Sequence, residues 1–119
     1  MRDRVRYENE LMEFLGERGY QCLRSAGSRG AVDVFAFNES HTRLIQVKST
    51  VDLRRHGNTN VFKTAIKDLL PLPTPPFCTK ELWVRVLRKG WYYLTLDDVP
   101  SSEEELTAFV RNAEWIMPA

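Results

Sequence analysis

Cysteine and histidine occur only twice each in these 119 residues, and neither type is clustered. Cys22 and Cys78 lie far apart with no CxxC spacing, so the sequence predicts reduced packing residues and neither a zinc site nor a disulfide framework. His41 and His56 have no second His or Cys at ligand spacing, which excludes them as expected metal ligands. No apolar run approaches the roughly 20 residues that cross a bilayer. The N-terminal MRDRVRYENE lacks the apolar core of a signal peptide. A cytoplasmic protein of a prokaryote, or of a virus inside its host cell, is therefore expected, with no membrane partner. Net charge is also scarce, at +1, which argues weakly against a polyanion partner.

The distribution of charge argues the other way. Residues 1–67 hold 12 Lys or Arg against 8 Asp or Glu, a local balance of +4, whereas residues 68–119 hold 5 against 8. Between 41 and 67, six basic residues (Arg43, Lys48, Arg54, Arg55, Lys63 and Lys67) face Asp52 alone. One basic face for a nucleic acid and one acidic face turned to water would give this pattern.

Apolar residues recur at helical spacing from Val5 to Leu15, and Gly19 supplies a stop. Tyr20–Leu23 alternates as a short strand, and Ala26–Gly30 is a loop of small residues. Val32–Phe37 and Leu44–Val47 read as strands joined by a hairpin across Asn38–Thr42. The stretch DLRRHGNTN then carries a basic loop, with Asn58 or Thr59 as the cap of a helix over Val61–Leu70. PLPTPPF, with four of the six prolines, bars regular structure after it. A second strand pair, Glu81–Leu87 and Trp91–Leu96, turns at Lys89-Gly90. Ser101 or Ser102, with Glu104 or Glu105, caps a last helix ending near Asn112. This order implies one α/β domain over residues 1–119, with a central mixed five-stranded sheet flanked by helices.

The chemistry concentrates between Arg24 and Lys48. Because a strand alternates, Asp33 can share a face with Gln46 and Lys48. A carboxylate, an amide oxygen and the intervening Val47 carbonyl make an all-oxygen ligand set, which suits Mg²⁺ and admits Mn²⁺. Lys48 then steers water and stabilises charge on a phosphate. Glu8, on the first helix, is the residue expected to complete the metal shell, because Glu10 points about 200° away on an ideal helix. Arg54, Arg55 and Lys63 are expected to bind phosphates without reading bases.

Tyr7-Glu8-Asn9-Glu10-Leu11, Arg24-Ser25-Ala26-Gly27-Ser28, Val32-Asp33 and Gln46-Val47-Lys48, followed more loosely by Gly90-Trp91-Tyr92-Tyr93, carry a resemblance. The chain resembles the archaeal-type Holliday junction resolvases, small homodimeric members of the PD-(D/E)xK nuclease superfamily. That resemblance implies a restriction-endonuclease-like fold and metal-dependent cleavage of four-way DNA junctions in DNA recombination and repair. By matching position, Glu8 is the helix-borne metal-site acid, Asp33 the central ligand and Lys48 the catalytic lysine. Arg24 and Ser25 match loop residues that handle the junction, Ser25 being counted with the catalytic set, and Arg29 matches a basic position of the same loop. Gln46 stands where most relatives have Glu, which removes one negative charge from the metal site. Asn9 replaces a residue that is basic in some relatives. Two other readings remain beside the resolvase: a general DNase of repair or restriction, and a disabled protein that binds junctions without cutting them. Trp91, Tyr93, Trp115 and Ile116 are candidates for the dimer surface, with Trp91 and Tyr93 also fitting the core.

Overall fold

The computed structural model describes residues 2–25 and 30–118, in the order α1 (Arg2–Gly16), β1 (Gln21–Arg24), β2 (Val34–Phe37), β3 (Thr42–Thr50), α2 (Asn58–Leu69), β4 (Cys78–Val86), β5 (Gly90–Thr95) and α3 (Glu103–Arg111). The five strands lie side by side in chain order. Short connections join β1–β2, β2–β3 and β4–β5, and all three pairs are antiparallel. β3 and β4 are parallel, which requires the long crossover that α2 supplies. The expected mixed five-stranded sheet flanked by helices is what forms.

Each helix covers the sheet with its apolar stripe. On one face Tyr7, Leu11 and Leu15 of α1 meet Val34, Ala36, Ile45, Val47, Trp83 and Trp91. On the other, Phe62, Ile66 and Leu69 of α2 and Leu106 and Val110 of α3 cover Leu82, Val84, Val86, Leu94 and Leu96. Trp91 is buried, and the partly buried Tyr93 stacks on Trp83 with ring centroids 4.5 Å apart, so both pack against the core. Trp115 packs edge-on against Phe62, and Ile116 bridges to Tyr93 at the sheet edge.

Three local differences from the sequence reading have physical causes. α2 starts at Asn58 behind Gly57, whose φ of 96° makes it a left-handed N-cap without a side-chain bond. The Asn58 side chain turns back instead to Thr50 Oγ1 and the Asp52 carbonyl. β3 extends from Thr42 to Thr50, beyond the Leu44–Val47 apolar run, because its outer residues pair with β4. β4 begins at Cys78, three residues before the apolar alternation does, since polar Thr79, Lys80 and Glu81 are paired inside the sheet.

Those polar residues form a buried network. Arg43 Nε donates to both Glu81 oxygens at 3.0 Å, and Trp83 Nε1 and Thr79 Oγ1 each donate to the same carboxylate at 2.7 Å. His41 lies between Thr79 Oγ1 (2.9 Å) and Tyr20 OH (3.1 Å). Thr79 spends its proton on Glu81, so His41 Nε2 must donate to Thr79, and Nδ1 accepts from Tyr20. The Arg43 guanidinium also lies over the rings of Tyr20, Trp83 and Tyr93. Removing one partner of a buried pair strands the other charge, at a cost of roughly 3 kcal/mol. Arg43→Met should therefore lose about 3 kcal/mol of unfolding free energy in urea titration; a loss within error of zero would show that the pair contributes nothing.

Candidate active site

Four elements converge where β1 and β3 end and β2 begins. α1 directs Glu8 inward, one turn before Met12 and beside the buried Tyr7 and Leu11, so its carboxylate is 3% exposed despite being ionisable. β1 ends in Arg24, whose Nη1 lies 3.7 Å from Glu8 Oε1. Arg4, one turn earlier on α1, places Nε 3.7 Å from Glu8 Oε2. The spacing i, i+4 is the sequence signal that identifies Arg4, a residue the motif reading passed over.

Asp33 immediately precedes β2. Its N–H continues the ladder to the Ile45 carbonyl at 2.8 Å, and its Oδ2 accepts the Val47 N–H at 2.8 Å. Its own carbonyl accepts the Ser25 N–H at 2.9 Å, which ties the start of the β1–β2 loop to the acid. Val34 opposes Ile45 and Phe35 opposes Leu44, so the alternation of β3 puts Gln46 on the side of Leu44, as expected. Gln46 Nε2 donates to the Ala31 carbonyl at 2.8 Å. A carbonyl only accepts, so this bond fixes which end of the amide faces Ala31 and turns the accepting Oε1 away from it. Lys48 is half-buried, and its ammonium makes no hydrogen bond or salt bridge to a described residue. It lines a groove of about 210 Å³ with Arg4, Tyr7, Val47 and Ser49.

The electrostatics tie these groups together. Burial raises the Glu8 pKa above the ordinary carboxylate value, the Asp33 charge raises it further, and Arg4 and Arg24 only partly offset both. Burial likewise raises Asp33, against the opposing Val47 N–H and the charges of Arg4 and Lys48. Two carboxylates that each resist ionisation fit a cation that neutralises both. Among the described residues, no group of three or more His, Cys, Asp and Glu gathers, so a metal would depend on oxygen from Gln46 or the backbone. That donor set fits a hard divalent ion.

The basic residues divide. Arg55 is exposed, and Arg54 is exposed while its Nη1 donates to the Arg111 carbonyl at 2.7 Å. With His56, Arg111 and Trp115 they line a groove of about 450 Å³. Lys63 departs from the expectation of a phosphate contact. Its ammonium is taken by Thr107 Oγ1 at 2.7 Å and Glu103 at 3.1 Å, and its side chain is only 13% exposed. The partner lies forty residues along the chain, beyond the reach of local pattern. Glu10 pairs with Arg85 at 2.6 Å, away from the site. Arg29 and the rest of the small-residue loop from Ala26 to Ser28 lie outside the described residues.

Comparison with known proteins gives a consistent picture. The family model for archaeal Holliday junction resolvase (Hjc) matches residues 1–113. The solved structure of Hjc from Archaeoglobus fulgidus, a Holliday junction resolvase from an archaeal hyperthermophile, aligns with a TM-score of 0.59 at 19% identity. The alignment covers 83% of this chain and 82% of that one. The likeness shows a restriction-endonuclease-like fold. No curated protein sequence matches.

The raised carboxylates have a consequence for stability. The folded chain holds these protons at a pH where the unfolded chain has already released them, so ionising the pair opposes folding. That cost is complete above the folded-state values and disappears below the ordinary carboxylate range. Glu8→Gln should remove part of it and flatten the rise in stability on acidification. Mn²⁺ should raise the melting temperature of the wild-type chain, with the shift weakening as pH falls and vanishing in Asp33→Asn. An equal shift in that variant would place the metal elsewhere.

Proposed function

The chain belongs to the archaeal Holliday junction resolvase family, and we propose that it hydrolyses phosphodiester bonds of four-way DNA junctions as a metal-dependent homodimer. The observation that carries the site assignment is the closeness of two buried acids, Glu8 and Asp33, both raised in pKa by burial, to the Lys48 ammonium, which no described residue pairs.

The roles follow from the geometry. Glu8, Asp33, Gln46 Oε1 and the Val47 carbonyl would hold Mg²⁺, or Mn²⁺ in its place. A divalent ion bound there supplies charge neutralisation and water activation at the scissile phosphate. Asp33 presents its free oxygen from a fixed position, because Val47 N–H holds the other and Ser25 N–H holds its carbonyl. Lys48 stabilises charge developing on the phosphate from the open groove beside Val47. Arg24 brings a cation to the rim of the site for the DNA backbone, and Arg29 is assigned the same task on its position in the loop. Arg54 and Arg55 contact phosphates farther along an arm of the junction. Two such sites related by a two-fold axis would cut paired strands, matching the symmetry of the junction.

Gln46 has a specific cost and benefit in this arrangement. A carboxylate at position 46 would set an oxygen against the Ala31 carbonyl that the amide now satisfies. Gln46→Glu should bind Mg²⁺ more tightly while lowering the melting temperature of the metal-free protein.

The deciding assay is cleavage of a labelled four-way junction beside a linear duplex, in Mg²⁺ and in Mn²⁺. Paired cuts confined to the junction are expected, with rates at least about 100-fold lower in Asp33→Asn and Lys48→Ala. Equal cutting of the duplex would favour a general DNase, and tight binding without cutting in either metal would favour a disabled junction binder. Unchanged rates in both variants would overturn the site. Changing Arg54 and Arg55 together to Ala should reduce the slope of log affinity against log salt by up to about 2. An unaltered slope would remove that loop from the DNA surface.

A further inference from the structure

The groove between the 52–57 loop and the end of α3 gathers cations that no acid neutralises. Several other cations of the chain are paired: Arg43 with Glu81, Lys63 and Lys67 with Glu103, and Arg85 with Glu10. Arg54, Arg55, His56 and Arg111 line the groove, and no Asp or Glu stands on its wall. None of the four has a carboxylate partner among the described residues. The volume, about 450 Å³, is that of a small-molecule site and more than a lone phosphate fills.

Part of the wall is aromatic. Trp115 and Phe62 meet edge to face there, with ring centroids 5.2 Å apart. Phe62 is buried, whereas Trp115 is only partly covered. The indole is held in place by its neighbour, since Ile116 exchanges two backbone hydrogen bonds with Tyr93, each of 2.9 Å. The facing loop is fixed as well. Arg54 Nη1 donates to the Arg111 carbonyl at 2.7 Å, and Asn58 Nδ2 donates to the Asp52 carbonyl at 2.8 Å. The Asp52 side chain is turned inward, with Oδ1 accepting the Arg54 N–H. Arg55 and Arg111 are left exposed on a preformed cleft.

We propose that this groove binds an unstacked nucleotide of single-stranded DNA, with its base against the Trp115 ring and its phosphates between Arg55 and Arg111. This rests on the reading of the chain as a DNA enzyme and adds a site for an unpaired strand. Basic side chains alone would suit the outside of any duplex. The aromatic wall narrows the class. Bases inside a duplex keep both faces covered by their neighbours, so a nucleotide must leave the stack to lay its face on an indole. Every base has such a face, and the contact therefore carries little sequence preference. The guanidinium groups fork onto phosphate oxygens and can also lie flat on a base. Arg54 follows Lys48 by six positions, within about 20 Å along an extended chain. A strand seated in the groove would thus be continuous with DNA at the active site.

Titration with an oligothymidylate of about eight nucleotides, in EDTA and beside a duplex of equal length, tests this. Trp83 and Trp91 are buried, so the single strand should quench tryptophan emission of the wild-type chain through Trp115, and the duplex should not. No quench by the single strand would overturn the site without any variant having to fold. By anisotropy of the labelled strand, Trp115→Ala should raise its dissociation constant about 10-fold, and that of the duplex less than about 2-fold. Trp115→Phe keeps an aromatic face and should restore most of the affinity while abolishing the quench. Unchanged single-strand affinity in Trp115→Ala, or equal losses on both DNAs, would also overturn it. Arg55→Ala, at an exposed residue, should reduce the slope of log affinity against log salt for the single strand by about 0.7. An unaltered slope would remove the phosphate from the groove. Neither metal nor cleavage enters these measurements. A chain that cuts no junction can therefore still bind here, and an active resolvase indifferent to Trp115 would overturn the groove alone.

Discussion

Parallel pairing of β3 with β4 is the constraint from which the arrangement follows. Nine residues of each strand are in register, Thr42–Thr50 against Cys78–Val86. Parallel neighbours cannot be joined by a tight turn, so the chain between them must leave the sheet and return across one face. α2 makes that crossing and, with α3, occupies one face, while α1 packs on the other. The end of β3 that carries Gln46 and Lys48 is thereby brought beside the start of β2 and the inner side of α1. Asp33, Gln46 and Lys48 thus lie toward the same end of the sheet.

Polar groups inside this fold are treated in two different ways. In the Glu81 network every acceptor finds a donor: Arg43, Thr79 and Trp83 surround the carboxylate. At Glu8 the nearest guanidinium nitrogens stop at 3.7 Å, and a second acid raises its pKa further. The first is a satisfied structural centre and the second an incompletely compensated one. Low solvent exposure is common to both, so burial alone does not separate them. The quality of the partners does.

Local pattern carried most of the fold. The apolar stripe of α1, the Asn38–Thr42 hairpin, and the Ser102 cap of α3, which accepts the Glu105 N–H, were all legible because their partners lie within a few residues. So was the placement of Asp33 against β3, where its N–H meets the Ile45 carbonyl and its Oδ2 the Val47 N–H. What escaped was settled by distant contacts. Lys63 looked like a free cation until α3 brought Glu103 beside it. Thr79 and Lys80 lay outside the Glu81–Leu87 alternation, yet pairing with β3 takes both into the strand. The ring contacts of Tyr93 with Trp83 and of Trp115 with Phe62 join residues too far apart for local pattern to show.

The cations around the two carboxylates also outnumber them. Glu8 and Asp33 carry at most two negative charges, while Arg4, Arg24 and Lys48 bring three positive ones into the same neighbourhood. With no metal bound, the cleft therefore already favours a polyanion. A phosphate competing for Arg4 or Arg24 would leave Glu8 less compensated. On the proposed function, bound substrate would raise the affinity of the same cleft for a divalent ion, a coupling that works in both directions.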